Sequence, residues 1–172
     1  LDVVIVGDAR AEARSLLEAG ALLANVGLTV SHGKHHKHSY YLIRNSDRLV
    51  GFTDQEIEVV AQIARYHRKS APKASHPEWA ALDDDDQRTV LVGAAVLRVA
   101  IGLDRSHRQL VTGVDVDEVD GRLVLSVQTT EPDPDLSLEL YASVERSGLL
   151  VDVLGLPIDV VVAEPVPATG AG

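Results

Sequence analysis

The 172-residue chain has no cysteine, which excludes disulfides, thiolate metal sites and cysteine nucleophiles. That absence suits a reducing compartment, and a cytoplasmic protein is expected. Methionine is missing too, even at position 1, as expected of a fragment or processed form of a longer polypeptide. Aromatics amount to one Phe, one Trp and four Tyr, so the core must be built from Leu, Val, Ile and Ala. The longest apolar run, residues 89–103, contains Arg98 and is shorter than the ~20 residues of a membrane span. No signal-peptide pattern is present, and no membrane partner is expected. Positive charge is also scarce. Sixteen Lys and Arg face 26 Asp and Glu, and a net charge of −10 argues against nucleic acid as a partner.

What positive charge there is lies in one place. Residues 31–76 hold eight Lys plus Arg and four Asp plus Glu, a formal +4, which leaves −14 on the rest of the chain. Five of the seven histidines lie within residues 31–69. Histidine adds positive capacity as pH falls toward its ordinary pKa of about 6.5. A cationic island on an anionic body points to a polyanionic ligand, because repulsion elsewhere confines that ligand to one face.

Residue spacing predicts a mainly helical first part. Residues 9–26 have helical periodicity, with Leu16, Gly20 and Leu23 on one face and Gly27 as a stop. Residues 34–45 read as a basic helix. Thr53 and Glu56 form a capping box, and the following helix turns Ile57, Val60, Ala61 and Ala64 inward and ends near Lys69. One helical turn is predicted at residues 77–81. A long helix then runs from the aspartates at 83–86 to about Leu103, burying Val90, Ala94, Leu97 and Ile101. After Arg108 the period changes to two. Val114 and Val116, then Leu123, Leu125 and Val127, alternate about an Asp120-Gly121 turn. Asp133-Pro134 reads as a helix start with Leu136, Leu140 and Val144 inward and Gly148 as the end. Ile158, Val160 and Val162 form a last strand. The expected division is a helical domain over 1–108, a small β-β-α-β unit over 109–164 and a flexible tail over 165–172. Residues 1–7 fit either a strand or a frayed end.

Several clusters carry chemistry. His35, His36 and His38 invite a transition metal, yet on a helix only His35 and His38 share a face, and no carboxylate stands nearby in sequence. Lys34, His35, Lys37 and His38 are donors in dense array, suited to phosphate oxygens or simply to a solvated helix face. Residues 65–69, Arg-Tyr-His-Arg-Lys, are a second basic element, which could equally solvate a helix end. The four aspartates at 83–86 are better explained by the positive end of a helix dipole than by a bound cation. Neither a Gly-rich phosphate loop nor a nucleophile elbow is present.

Four blocks occur in order: Gly33-Lys34-His35-His36-Lys37-His38-Ser39-Tyr40-Tyr41-Leu42-Ile43, Ala64-Arg65-Tyr66-His67-Arg68-Lys69, Ser75-His76-Pro77-Glu78 and Leu103-Asp104-Arg105-Ser106-His107. Together they resemble the Ppx/GppA family of exopolyphosphatases and guanosine pentaphosphate phosphatases, over residues 15–110 and more weakly beyond. The resemblance implies an HD-like helical bundle with a small C-terminal α+β unit, matching only the C-terminal portion of such enzymes. Hydrolysis, with its magnesium, would belong to N-terminal actin-like domains that nothing here resembles. At the positions of the HD metal ligands this chain has Ala24, Asn25 and Ile101, so neither metal nor catalytic residues are expected in it. The implied role is a polyphosphate track of Lys34, His35, Lys37, His38, Arg65, His67, Arg68 and Lys69, together with homodimer formation. Alternatives are a free-standing metal-dependent phosphohydrolase using His35 and His38, and a module that binds guanosine penta- or tetraphosphate.

Overall fold

The computed structural model describes residues 8–129 and 135–163. It is mainly helical with a small mixed sheet toward the C-terminal end, the class expected from the sequence. The chain divides into two compact units, with the boundary between Arg98 and Val99. The expected features of residues 1–7, Asp133-Pro134 and 165–172 lie outside the described residues.

In the first unit, helix α1 (Asp8–Leu23) stops earlier than its periodicity predicts, and a 3-10 turn (Val26–Thr29) follows. Gly27 therefore does not cap α1. It is glycine because of close approach: a Cβ there would lie 2.2 Å from the His35 carbonyl oxygen and 2.4 Å from the Ser39 nitrogen. The Gly27 N–H donates to Ser39 Oγ at 2.9 Å, and the Ser39 hydroxyl donates to the Ala24 carbonyl at 2.7 Å. This lock seats the start of helix α2 (His35–Arg44) on the end of α1.

Helix α3 (Asp54–Tyr66) begins with the expected capping box: Glu56 N–H donates to Thr53 Oγ1 at 3.2 Å, and Thr53 N–H donates to Glu56 Oε2 at 2.6 Å. Thr53→Ala should lower stability by about 1 kcal/mol, seen as a lower denaturant midpoint. An unshifted midpoint would mean that water replaces the box at no cost. Val60, Ala61 and Ala64 are buried as expected, while Ile57 is half-buried. The side chain of Ile63 sits between two helices that approach through glycine. A Cβ at Gly20 of α1, or at Gly93 of the later long helix, would fall 2.7 or 2.9 Å from it.

The α3 helix ends three residues before the expected Lys69. Arg98 takes over the chain there, its Nε donating to the Tyr66 carbonyl at 2.9 Å and its Nη2 to Lys69 and Ser70 carbonyls at 3.0 and 3.2 Å. Lys69 itself has φ of 66°, in the left-handed region that ends helices. After one turn, α4 (Pro77–Ala80), the long helix α5 (Asp84–Leu103) starts with Asp83 Oδ1 accepting the Asp86 N–H at 2.9 Å. Asp83 thus works as a helix cap. Val90, Ala94 and Leu97 are buried, and Ile101 is half-buried.

In the second unit, strands β1 (Val111–Val119) and β2 (Arg122–Thr129) form the expected hairpin, with positive φ at both Asp120 (51°) and Gly121 (72°). Strand β3 (Ile158–Val162) lies parallel to β2 on its other side. A parallel pair needs a long crossover. Here it contains two helices, α6 (Ser137–Arg146) and α7 (Gly148–Leu154), where the sequence reading placed one. Gly148 opens α7 instead of ending α6, and Gly155, at φ 69°, closes α7.

The expected inward stripe of α6 is also corrected. Leu136 is buried, but Leu140 is only half-buried and Val144 faces solvent. Glu139, Ala142 and Ser143 point inward instead. A Cβ at Gly102 would lie 2.5 Å from the Ser143 Cα, so α6 meets the end of α5 through small residues. Glu139 is tolerated because its Oε1 accepts the Ser106 N–H at 3.0 Å. Hydrophobic periodicity cannot identify a face built from small residues and a paired carboxylate.

Candidate functional site

The start of α2 and the end of α3 bring together residues more than thirty positions apart. Lys34 precedes α2 with φ of 59° and makes no side-chain cap to the helix. His35, in the first turn, is buried, and its Nε2 lies 3.4 Å from His67 Nε2 with the rings stacked at 5.4 Å. His67 Nδ1 is 2.6 Å from the Ala64 carbonyl, a contact that requires an N–H at that atom. In the neutral ring its Nε2 is then an acceptor, and His35 donates to it. That leaves His35 Nδ1 as an acceptor, and Arg68 Nη1 donates to it at 3.0 Å while lying 3.4 Å from Nε2. One directional chain results, from Arg68 through His35 and His67 to the Ala64 carbonyl.

Both rings must be neutral for that chain to close, and their surroundings favour this. Burial chiefly lowers the His35 pKa, with Arg68 and the neighbouring histidines adding to it and the His32 carbonyl opposing. Burial, then nearby His35, Arg68 and Arg98, bring His67 down to about 4, against the Ala64 hydrogen bond. His36 is also buried and lowered to about 4, first by burial and then by Arg68. Its Nδ1 has no hydrogen-bond partner. At neutral pH these three rings are uncharged.

Of the other residues expected in the track, Lys34, Lys37 and Lys69 are exposed, and His38 and Arg68 are half-buried. Arg65 faces elsewhere. Its Nη1 donates to Glu78 at 3.1 Å, and its guanidinium lies 5.0 Å from the Tyr40 ring centre. Tyr40 in turn donates to Glu58, which also pairs with Arg44 at 2.8 Å. His76 accepts from the Tyr66 hydroxyl at 2.7 Å and stacks on its ring, which fixes the loop ahead of α4. A separate open cleft of about 630 Å³ is lined by Arg44, Asp54, Glu58, Glu78, Asp83 and Asp86, a mostly acidic set unsuited to an anion. Among the described residues, no group of three or more His, Asp or Glu is placed to hold a metal ion. Nor is any described helix long and apolar enough to cross a membrane. Of the residues that the resemblance set at HD ligand positions, Ala24 is buried in the core and Asn25 is exposed.

Comparison with known proteins decides the family. Residues 5–137 match the Ppx/GppA phosphatase family in its domain III. The chain belongs to that family. Its relatives include a guanosine-5'-triphosphate,3'-diphosphate pyrophosphatase of Vibrio parahaemolyticus, 32% identical over 141 residues, which cover 80% of this chain and 27% of that protein. The protein of the same name from Vibrio vulnificus is 33% identical over 136 residues, 76% of this chain and 26% of its own length. That from Pseudoalteromonas translucida is 36% identical over 58 residues, 34% of this chain and 12% of its own. This Ppx/GppA chain therefore spans about a quarter or less of each of these relatives.

Sequence reasoning grouped the basic residues of this domain III by nearness along the chain, and missed three features that depend on folding. These are the Gly27–Ser39 lock, the pairing of His35 with His67, and the unpartnered His36 nitrogen. The one local signal was the unbroken run of five cationisable side chains at residues 34–38, too dense for all of them to face water on one helix.

Proposed function

We propose that this domain III binds a linear phosphoanhydride polyanion on the face where α2 begins and α3 ends. The observation that carries the reading is that Lys34, Lys37 and Lys69 are exposed on the two segments that His35 joins to His67 and Arg68, on a chain of net charge −10. The lysines and Arg68 meet the phosphate oxygens, and Arg68 stands beside them where it donates to His35 at the end of the His35–His67 pair. Hydrolysis and its magnesium belong to other domains of the parent polypeptide. We assign the protein to the cytoplasm and take homodimer formation as a further role of this domain. Inorganic polyphosphate is the favoured ligand, since many weak contacts hold a long chain while its units are removed singly. Guanosine pentaphosphate is the second reading, supported by the names of the curated relatives.

Two of the proposed contacts allow binding to be separated from stability. Lys34 and Lys69 both have left-handed backbone, φ 59° and 66°, where glycine is unstrained. Lys34→Gly plus Lys69→Gly should therefore keep or raise the melting temperature while weakening polyphosphate binding roughly tenfold or more. The salt dependence should fall by about 0.7 in log–log slope per lysine removed. Unchanged affinity in the double variant would remove both lysines from the site.

A further inference from the structure

The His35 Nδ1 atom has two neighbours that need opposite things of it. Arg68 Nη1, at 3.0 Å, is a donor and needs a bare nitrogen. The His32 carbonyl oxygen, at 3.4 Å, is an acceptor and needs an N–H. One ring nitrogen cannot serve both. His35 cannot escape the conflict by moving its proton to the other nitrogen at no cost, because its Nε2 faces the acceptor Nε2 of His67.

We propose that His35 is a proton-operated latch on Arg68. With Nδ1 bare, it holds the guanidinium against the protein. With Nδ1 protonated, that atom turns to the His32 carbonyl, and Arg68 is released to meet a phosphate oxygen. The step is a simple protonation. One proton from solvent adds to the Nδ1 lone pair, the Arg68 N–H···Nδ1 hydrogen bond is exchanged for Nδ1–H···O=C, and Arg68 keeps its own proton. This deepens the polyanion reading and rests on it.

The surroundings make the two events favour each other. Around these rings stand His32, His36, Lys37 and His38 from α2 and its approach, His67 and Arg68 from the end of α3, and Arg98 from α5. None of the groups that shift the three rings is a carboxylate. The named neighbours of His35 other than the His32 carbonyl disfavour a proton there, and a bound polyanion would favour one. Binding the anion must then draw a proton onto His35, and by reciprocity acid must tighten binding.

The test is calorimetric titration of long-chain polyphosphate into the protein near pH 6.5, in two buffers of different ionisation heat. The wild type should take up close to one proton per site filled, and its affinity should rise by up to about tenfold per pH unit on acidification. His35→Asn, whose amide oxygen can still accept from Arg68 but does not titrate, should bind with that uptake abolished. A second measurement needs neither ligand nor variant. Nitrogen NMR of the free protein should show His35 Nδ1 bare at neutral pH and protonated in acid, with the Arg68 side-chain resonances moving in step. Binding without proton uptake, or a His35 Nδ1 already protonated at neutral pH, would overturn the latch and leave the polyanion reading standing. Absence of binding at every pH would overturn both.

Discussion

Gly27→Ala should cost this domain about 3 kcal/mol or more and take the anion site with it. The added methyl would sit 2.2 Å from the His35 carbonyl oxygen and 2.4 Å from the Ser39 nitrogen, both backbone atoms that no rotamer change can move away. Overpacking against a core side chain usually costs about 1–3 kcal/mol, and relief there comes from repacking. Here relief requires α2 to lift from α1. That movement breaks the hydrogen bonds of the buried Ser39 hydroxyl to Gly27 and Ala24, leaving polar groups unpaired. It also carries α2, with Lys34 and Lys37 at its start, away from the end of α3, so the two halves of the proposed anion site separate. Gly33→Ala is the control, because its nearest neighbour, Ser31 Oγ, is 3.6 Å from the Cβ position. Denaturant melts of the two variants should differ widely. Equal midpoints would mean that α2 is not seated on Gly27.

The second large effect is acid destabilisation in a window that the carboxylates do not share. His36 and His67 have folded pKa values of about 4, below the ordinary 6.5, because burial disfavours the imidazolium. Between those values the unfolded chain binds more protons than the folded one. Stability is therefore complete above pH 6.5, declines as pH falls toward 4, and levels off below that. A single histidine shifted so far contributes roughly 3 kcal/mol to the decline. The lowered carboxyls of Glu56, held by the Thr53 hydrogen bonds, and of Glu78, held mainly by backbone, lose their stabilisation only at lower pH. Melts from pH 7 to 4.5 thus report on the histidines. His36→Leu removes a buried nitrogen that has no partner, so it should leave stability at pH 7 unchanged or higher and flatten the decline. A profile as steep as the wild type's would show that His36 is not the proton acceptor.

The sequence was most legible where one physical signal acts locally. The Thr53–Glu56 box, the Asp120-Gly121 turn and the buried Val90, Ala94 and Leu97 of α5 needed only capping chemistry, left-handed backbone or helical period. Tertiary contact overrode such signals elsewhere. Gly27 looked like a helix stop, but its partner Ser39 lies twelve residues away, and no local pattern encodes that approach. Leu140 and Val144 looked buried alongside Leu136, which is, but Gly102 admits only the small side of α6. The charge island was legible as composition. Which of its members carry charge was not, because the neutrality of His35, His36 and His67 follows from burial by residues distant in the chain. Family resemblance supplied the order of the blocks, and the structure supplied the reason why the α2 and α3 blocks belong together.

The central claim is that the start of α2 and the end of α3 form a working polyanion site. The most direct test is titration of long-chain polyphosphate into this 172-residue protein by calorimetry, at low and moderate salt, with and without chelator. The account predicts saturable binding that weakens steeply with salt and is indifferent to chelator, because lysines and Arg68 make the contacts. No binding at low salt, or binding that chelator abolishes, would contradict it.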